Sequence, residues 1–177
     1  MMIKKIAIVI ATLISLPFIV ALFVSQTYDV ERSVIINQPK PLVFDYVKHL
    51  KNQNNFSKWA QIDPNMEKRF TGTDATVGFI SAWSSENPDV GVGEQEILNI
   101  LEGERIDFEL RFLSPFEATE PAYMTTEAIS ADKTLVKWGF SGHIDYPMNL
   151  TFLFIDFEAM IGNDLQQGLD NLKVILD

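Results

Sequence analysis

The chain has 177 residues, a formal net charge of −10 and no cysteine, and 47% of its residues are hydrophobic. This length suits one ordinary domain, and the lack of cysteine excludes both a disulfide framework and a thiolate metal site. The acidic charge argues against nucleic-acid binding, because neutralising phosphates needs clustered Lys and Arg.

The first element is an uncharged apolar run from Ile6 to Val24, preceded by Lys4 and Lys5. A helix needs about 20 apolar residues to cross the hydrocarbon of a membrane, so the run predicts a membrane helix. A cleaved secretory signal is the alternative, but its apolar core is only about 7–15 residues long. Phe23 also stands where cleavage needs a small residue, and we therefore favour an uncleaved anchor.

The charges that flank this run predict its orientation. Two lysines precede it and no basic cluster follows, so the positive-inside rule places the N-terminus in the cytoplasm. We expect residues 1–27 to be the anchor and residues 28–177 to form one domain outside the cytoplasm. That domain carries 12 basic and 24 acidic residues, an excess that anionic lipid headgroups would repel.

Alternating apolar and polar residues predict strands through most of the domain. The first strand is Tyr28–Ile36, and Pro39 and Pro41 then open a short helix, because proline suits a first helical turn. A second short helical turn follows. Six further strands are predicted at Glu67–Thr71, Val77–Trp83, Gly93–Leu101, Arg105–Phe112, Ala122–Ile129 and Thr134–Gly142. Their short connections indicate an antiparallel meander.

The last predicted element is an amphipathic helix from Met160 to Asp177. Its apolar stripe, at the spacing of one helix face, consists of Ile161, Leu165, Leu169 and Leu172. The apolar face of the sheet needs a cover, and this helix is long enough to provide it. The preceding residues 148–157 are apolar on almost every side, which suggests either a helical extension or a membrane-facing segment.

Short motifs stand at the joints between these elements. They are Ile36-Asn37-Gln38-Pro39, Trp59 with Asp63-Pro64, Gly72 and Gly78 before Trp83, Val90-Gly91-Val92-Gly93, Pro115-Phe116, Trp138-Gly139 and Tyr146-Pro147-Met148. In this order they resemble the helix-grip superfamily (START or SRPBCC), most closely its bacterial polyketide cyclase/dehydrase-like branch, which often carries a membrane anchor. The resemblance implies an α+β fold, with a curved seven-stranded antiparallel sheet around the C-terminal helix and two short helices after the first strand. It also implies a bacterial inner membrane, with the domain facing the periplasm.

The resemblance further implies a cavity between the sheet and the C-terminal helix that holds a hydrophobic ligand, either a lipid or an aromatic or isoprenoid small molecule. Inward sheet positions line that cavity in the superfamily. The candidate ligand-binding residues are Phe79, Ser81, Trp83, Phe108, Leu110, Phe112, Tyr123, Trp138 and Phe140. Ordinary core packing is the alternative for each aromatic residue.

No catalytic constellation is recognisable in the sequence. The two histidines are far apart, and His143 with Asp145 is interpreted as a polar pair at a strand end. An enzyme would need an acid–base residue inside the cavity, and Glu94, Glu96 or Glu127 qualify only if they point inward. We therefore expect a binding domain without a catalytic residue, cofactor or metal. A cyclase- or dehydratase-like enzyme and an interaction module with a filled cavity are the alternatives.

Overall fold

The computed structural model describes residues 2–177, in which five α-helices and seven strands form. The helices are α1 (Met2–Ala21), α2 (Lys40–Lys48), α3 (Gln53–Phe56), α4 (Lys58–Ile62) and α5 (Phe157–Leu176). The strands are β1 (Thr27–Ile36), β2 (Glu67–Thr71), β3 (Ile80–Ser84), β4 (Val92–Leu101), β5 (Arg105–Ser114), β6 (Ala118–Ser130) and β7 (Lys133–His143). Two 3₁₀ turns cover Leu50–Asn52 and Met148–Leu153.

The seven strands form one antiparallel sheet in the order β1-β7-β6-β5-β4-β3-β2. Strands β2 to β7 form a meander, and β1 lies at the edge beside β7. Helices α2 to α4 then carry the chain across to β2 at the opposite edge. The predicted α+β architecture, with seven strands and a long C-terminal helix, is therefore confirmed.

Two strands begin three or more residues away from their predicted starts, and the other strand ends agree with the prediction within two residues. β3 begins at Ile80 rather than Val77, because Ala75 and Gly78 adopt positive φ angles of 60° and 84° and turn the chain there. β6 begins at Ala118 rather than Ala122, so the strand is longer than its apolar alternation suggested.

Helix α5 covers the sheet chiefly over β1 and β7. It begins at Phe157, where the Asp156 side chain caps it by accepting a hydrogen bond from the Ala159 amide at 2.9 Å. Its stripe residues Leu165, Leu169 and Leu172 are 2%, 0% and 0% exposed. The predicted apolar face of this helix therefore packs in the core.

Helix α1 contains an 18-residue span, Lys4–Ala21, with a mean hydropathy of 2.0 and only 6% of its residues buried. By length and composition it can cross a membrane, although secretory signal sequences have the same properties. The helix ends at Ala21, earlier than the predicted Val24, and a turn over residues 22–24 leads to β1.

Candidate ligand site on the inner face of the sheet

The inner face of the sheet, which faces α5, carries eight of the nine residues predicted to bind a ligand. The register places Trp83 and Phe112 on either side of Gly93, and Phe108 opposite Ile97. The inward residues are Phe79, Ser81, Trp83, Phe108, Leu110, Phe112, Trp138 and Phe140. Strand parity was therefore a sound guide to which side chains share this face.

Three of these eight residues are part of the closed hydrophobic core. Phe79, Phe108 and Trp138 are only 1%, 1% and 5% exposed. The ring of Trp138 lies 5.7 Å from that of Phe56, centre to centre, and a Cβ on Gly168 of α5 would stand 2.8 Å from it. The middle of the inner face is thus filled by protein side chains.

The other five inward residues lie towards the end of the sheet where β1 begins. Ser81, Trp83, Leu110, Phe112 and Phe140 are all partly exposed. The structure adds two buried polar residues to this region, and we define the inner patch as Ser81, Trp83, Gln95, Leu110, Phe112, Glu120 and Phe140. The inner patch therefore combines partly exposed apolar side chains with polar ones.

Trp83 forms one side of the inner patch. Its ring lies over Gly93, where a Cβ would stand 2.6 Å from the indole, and it meets the ring of Phe112 edge-on at 6.2 Å and 74°. The indole N–H donates to the carbonyl of Val90 at 3.3 Å. Gly93 therefore allows the indole to lie flat on the strand, with its N–H already satisfied.

Two polar side chains lie next to each other in the patch. Ser81 and Gln95 are direct cross-strand partners, and Gln95 in turn pairs with Leu110. Gln95 is 8% exposed, yet within residues 2–177 neither its amide nor the Ser81 hydroxyl makes a hydrogen bond. Ser81 is half-buried, so this hydroxyl and the Gln95 amide can each bind a polar group of a ligand.

Glu120 is the inward carboxylate that the sequence analysis missed. It is 8% exposed and lies on β6, opposite Leu110 of β5. Its carboxylate accepts a hydrogen bond from the His143 amide at 2.9 Å. Burial raises the pKa of this carboxyl, although the hydrogen bond and the attraction of the His143 side chain partly oppose that rise. Burial, together with repulsion from Glu120, also raises the pKa of Tyr28 to about 12.

Tyr123 lies on the opposite, outer face, which corrects the prediction for this residue. Its neighbours Ala122 and Met124 point inward, and side chains alternate along a strand. The ring lies over Gly139, stacks on the Arg105 guanidinium at 4.0 Å, and its hydroxyl donates to Glu31 at 2.5 Å. Tyr123 therefore cannot contact a ligand at the inner patch.

The three carboxylates considered for catalysis also point outward. Glu94 and Glu96 bind the Arg111 guanidinium at 2.6 and 2.8 Å, and these contacts raise the pKa of Arg111. Glu127 is exposed and pairs with Leu135 on the outer face. His143 and Asp145 form an exposed pair at 3.1 Å, as interpreted from the sequence.

Two pockets on the surface of residues 2–177 lie away from the inner patch. One, of about 300 Å³, is between α1 and the turn at Met148–Leu153. The other, of about 450 Å³, is lined by the α2 side chains Leu42, Asp45 and Tyr46 and by Asp74. Within the same residues, no group of three His, Asp or Glu side chains is arranged to hold a metal ion.

The pKa of Glu120 gives a pH-dependence prediction. Because the folded state raises this pKa, folded protein binds the proton more tightly than unfolded protein, and stability falls as the pH rises above the ordinary glutamate range. Glu120→Gln removes this fall and should melt at a higher temperature than wild type at neutral pH. The measurement is the melting temperature of both proteins as a function of pH.

The control for that experiment is Glu127→Gln, an exposed outer-face carboxylate on the same strand. The titratable groups beside Glu120 are Tyr28 on β1 and His143 on β7. Glu31 affects stability in a different pH range. Hydrogen bonds from Tyr123 and Lys137 lower its pKa, so its contribution to stability is lost as the pH falls. If the melting temperatures of wild type and Glu120→Gln change in parallel with pH, burial does not destabilise the charged form of this carboxyl.

Comparisons with known proteins bear on the fold. No family model and no curated protein matches the sequence. Ginseng major latex-like protein 151 from Panax ginseng superposes with a TM-score of 0.61 at 12% identity, covering 86% of this chain and 99% of its own. The domain has the helix-grip fold. A structural-genomics protein from Nitrosospira multiformis agrees, with a TM-score of 0.60, 16% identity and coverages of 85% and 97%.

A third helix-grip structure is DynU16, a protein of the dynemicin biosynthetic locus. It superposes with a TM-score of 0.56 at 13% identity, covering 84% of this chain and 46% of its own. Identities this low establish the common helix-grip fold, and the functional assignment depends on the site itself.

Proposed function

We propose that this chain is a membrane-anchored binding domain for a hydrophobic ligand, either a lipid or an aromatic or isoprenoid small molecule, held between the inner patch and the helices. Residues 1–27 are the anchor in a bacterial inner membrane, and residues 28–177 face the periplasm. One observation carries the proposal: partly exposed apolar side chains adjoin the Ser81 hydroxyl and the Gln95 amide, neither of which makes a hydrogen bond among residues 2–177. Small-molecule sites combine an apolar lining with a few polar groups in this way.

The chemistry of the patch suggests an amphipathic ligand. Covering the partly exposed faces of Trp83, Leu110 and Phe112 removes apolar surface from water, at about 25 cal/mol per Å². The Gln95 amide can donate to and accept from a ligand hydroxyl or carbonyl. A ligand with an apolar body and one polar end therefore satisfies both halves of the patch.

The position of the anchor favours a ligand that comes from the membrane. Strand β1 begins six residues after α1 ends, and the inner patch lies at that same end of the sheet. Tethering holds the patch near the bilayer and raises the effective concentration of any ligand dissolved there.

The test uses the full chain in lipid nanodiscs and a farnesol analogue that carries a photoreactive diazirine. We expect saturable labelling of the peptides around Trp83 and Leu110. In Trp83→Ala the half-saturating concentration should rise roughly 5- to 30-fold, because losing a large apolar contact costs about 1–2 kcal/mol.

Tyr123→Ala is the matched control, since it truncates an aromatic residue on the opposite face of the same sheet. Its half-saturating concentration should equal that of wild type. Labelling that does not saturate, or that maps to α1 alone, would contradict the binding proposal. It would favour the alternative of an interaction module with a filled cavity.

A cyclase- or dehydratase-like enzyme is the second candidate, and Glu120 is the observation in its favour. A buried carboxyl with a raised pKa is suited to donate a proton to a bound ligand. Chemical change of a bound polyketide by wild type but not by Glu120→Gln would support the enzyme, provided that both proteins are photolabelled equally.

A further inference from the structure

The segment from Met148 to Ile155 places large apolar side chains at the surface beside α1. Met148, Leu153, Phe154 and Ile155 are 63%, 55%, 85% and 43% exposed. A soluble protein rarely leaves such side chains together in water, and contiguous exposed apolar patches mark interaction sites.

The same segment is fixed to the end of α1. Asn149 is fully buried, and its amide donates to the carbonyls of Ala21 at 2.8 Å and Val24 at 3.0 Å. The last carbonyls of a helix have no partner within it, so this side chain caps α1. Because 125 residues or more separate the partners, the cap attaches the folded domain to the anchor.

Contacts further along α1 give the depth of the segment. Pro17 and Phe18 line the pocket of about 300 Å³ together with Met148, Leu150 and Phe154. Phe18 and Pro17 come three and four positions before Ala21, which is roughly 4.5–6 Å along a helix that rises about 1.5 Å per residue. Met148, Leu150 and Phe154 therefore lie beside the last turns of α1.

We propose that residues 148–155 are a second membrane contact, which inserts Met148, Leu153, Phe154 and Ile155 into the boundary between headgroups and acyl chains beside α1. The inference rests on the proposed membrane-spanning role of α1. Interfacial segments sink about 5–10 Å into that boundary, a depth that matches the pocket which the segment shares with Pro17 and Phe18.

The charges around the segment define which lipids it prefers. Residues 144–172 contain no Lys or Arg, Asp145 and Asp156 flank the apolar residues, and Glu158 is paired with Arg32 at 2.7 Å. Anionic headgroups attract basic segments, so they provide no attraction here. Insertion is driven by apolar burial and proceeds in a zwitterionic phosphatidylcholine bilayer.

Because the chain has no cysteine, single-cysteine labelling of the full chain tests this proposal. Phe154→Cys, Leu13→Cys and Val174→Cys are each labelled with a nitrobenzoxadiazole fluorophore and reconstituted in phosphatidylcholine nanodiscs. Leu13 reports on α1, and Val174 is the matched control, an 83% exposed apolar residue near the far end of α5. Quenching is measured with nitroxide lipids, labelled near the top of the acyl chain, and with aqueous iodide.

The expected result is that the Phe154 label loses most of its fluorescence to the nitroxide lipid and is protected from iodide, whereas the Val174 label shows the reverse. A Phe154 label open to iodide, or protected from both quenchers by protein contact, overturns the second membrane contact. If the nitroxide lipid quenches the Leu13 label while the Phe154 label does not respond, only the second membrane contact is contradicted and the membrane-spanning role of α1 is supported. If neither the Leu13 nor the Phe154 label responds to nitroxide lipid, both proposals fail.

Discussion

Replacing Leu172 by alanine is expected to lower the free energy of unfolding by about 2–5 kcal/mol, the usual cost of removing a buried leucine side chain. Leu172 is fully buried in the core cluster on the face of α5 towards the sheet. For a domain of this size each kcal/mol lowers the melting temperature by roughly 2–4 °C. Leu165→Ala, at 2% exposure, should behave similarly.

Intrinsic tryptophan fluorescence during heating reports this loss, because Trp138 packs against Gly168 on the same helix. The matched control is Val174→Ala, which truncates an 83% exposed side chain two residues further along α5. We expect a melting temperature close to that of wild type for this control. Equal melting temperatures for Leu172→Ala and Val174→Ala would contradict the placement of the helix.

Gly91→Ala is expected to be nearly as damaging, for a backbone reason. Gly91 has a φ of +63°, and a Cβ there would overlap the carbonyl oxygen of Ser114 and lie 3.3 Å from Pro115. A left-handed conformation costs a residue with a Cβ about 1–2 kcal/mol, and overpacking against fixed backbone adds about 1–3 kcal/mol. The loop 85–91 would have to move away from the end of β5.

Gly103→Ala separates these two causes. Gly103 has a similar φ of +77°, but a Cβ there would meet nothing within 4 Å. The melting temperature of Gly91→Ala should therefore fall further than that of Gly103→Ala. Because Val90 accepts the hydrogen bond of the Trp83 indole, Gly91→Ala should also weaken photolabelling by the farnesol analogue. Identical melting temperatures for the two variants would show that the overlap with Ser114 is relieved without cost.

The missed residue Glu120 shows where sequence parity stops being informative. The apolar alternation on β6 becomes visible only at Ala122 and Met124, so the predicted strand began too late. Extending the same alternation two residues back across Pro121 places Glu120 inward. Applied at Tyr123, it gives the outward orientation that the structure has. For both residues the alternation along β6 gives the correct orientation, but applying it required the position at which the strand begins.

The sequence by itself determined the order of elements, the apolar N-terminal helix, the inward parity of eight candidate residues and the apolar stripe of α5. Local periodicity encodes these features, since each side chain's direction follows from its own strand or helix. Only the tertiary structure decided that Phe79, Phe108 and Trp138 fill the core while Trp83 and Phe112 stay partly exposed, because α5 lies chiefly over β1 and β7. It also decided that Asn149 caps α1. Both features depend on contacts between residues far apart in the chain, which no local pattern records.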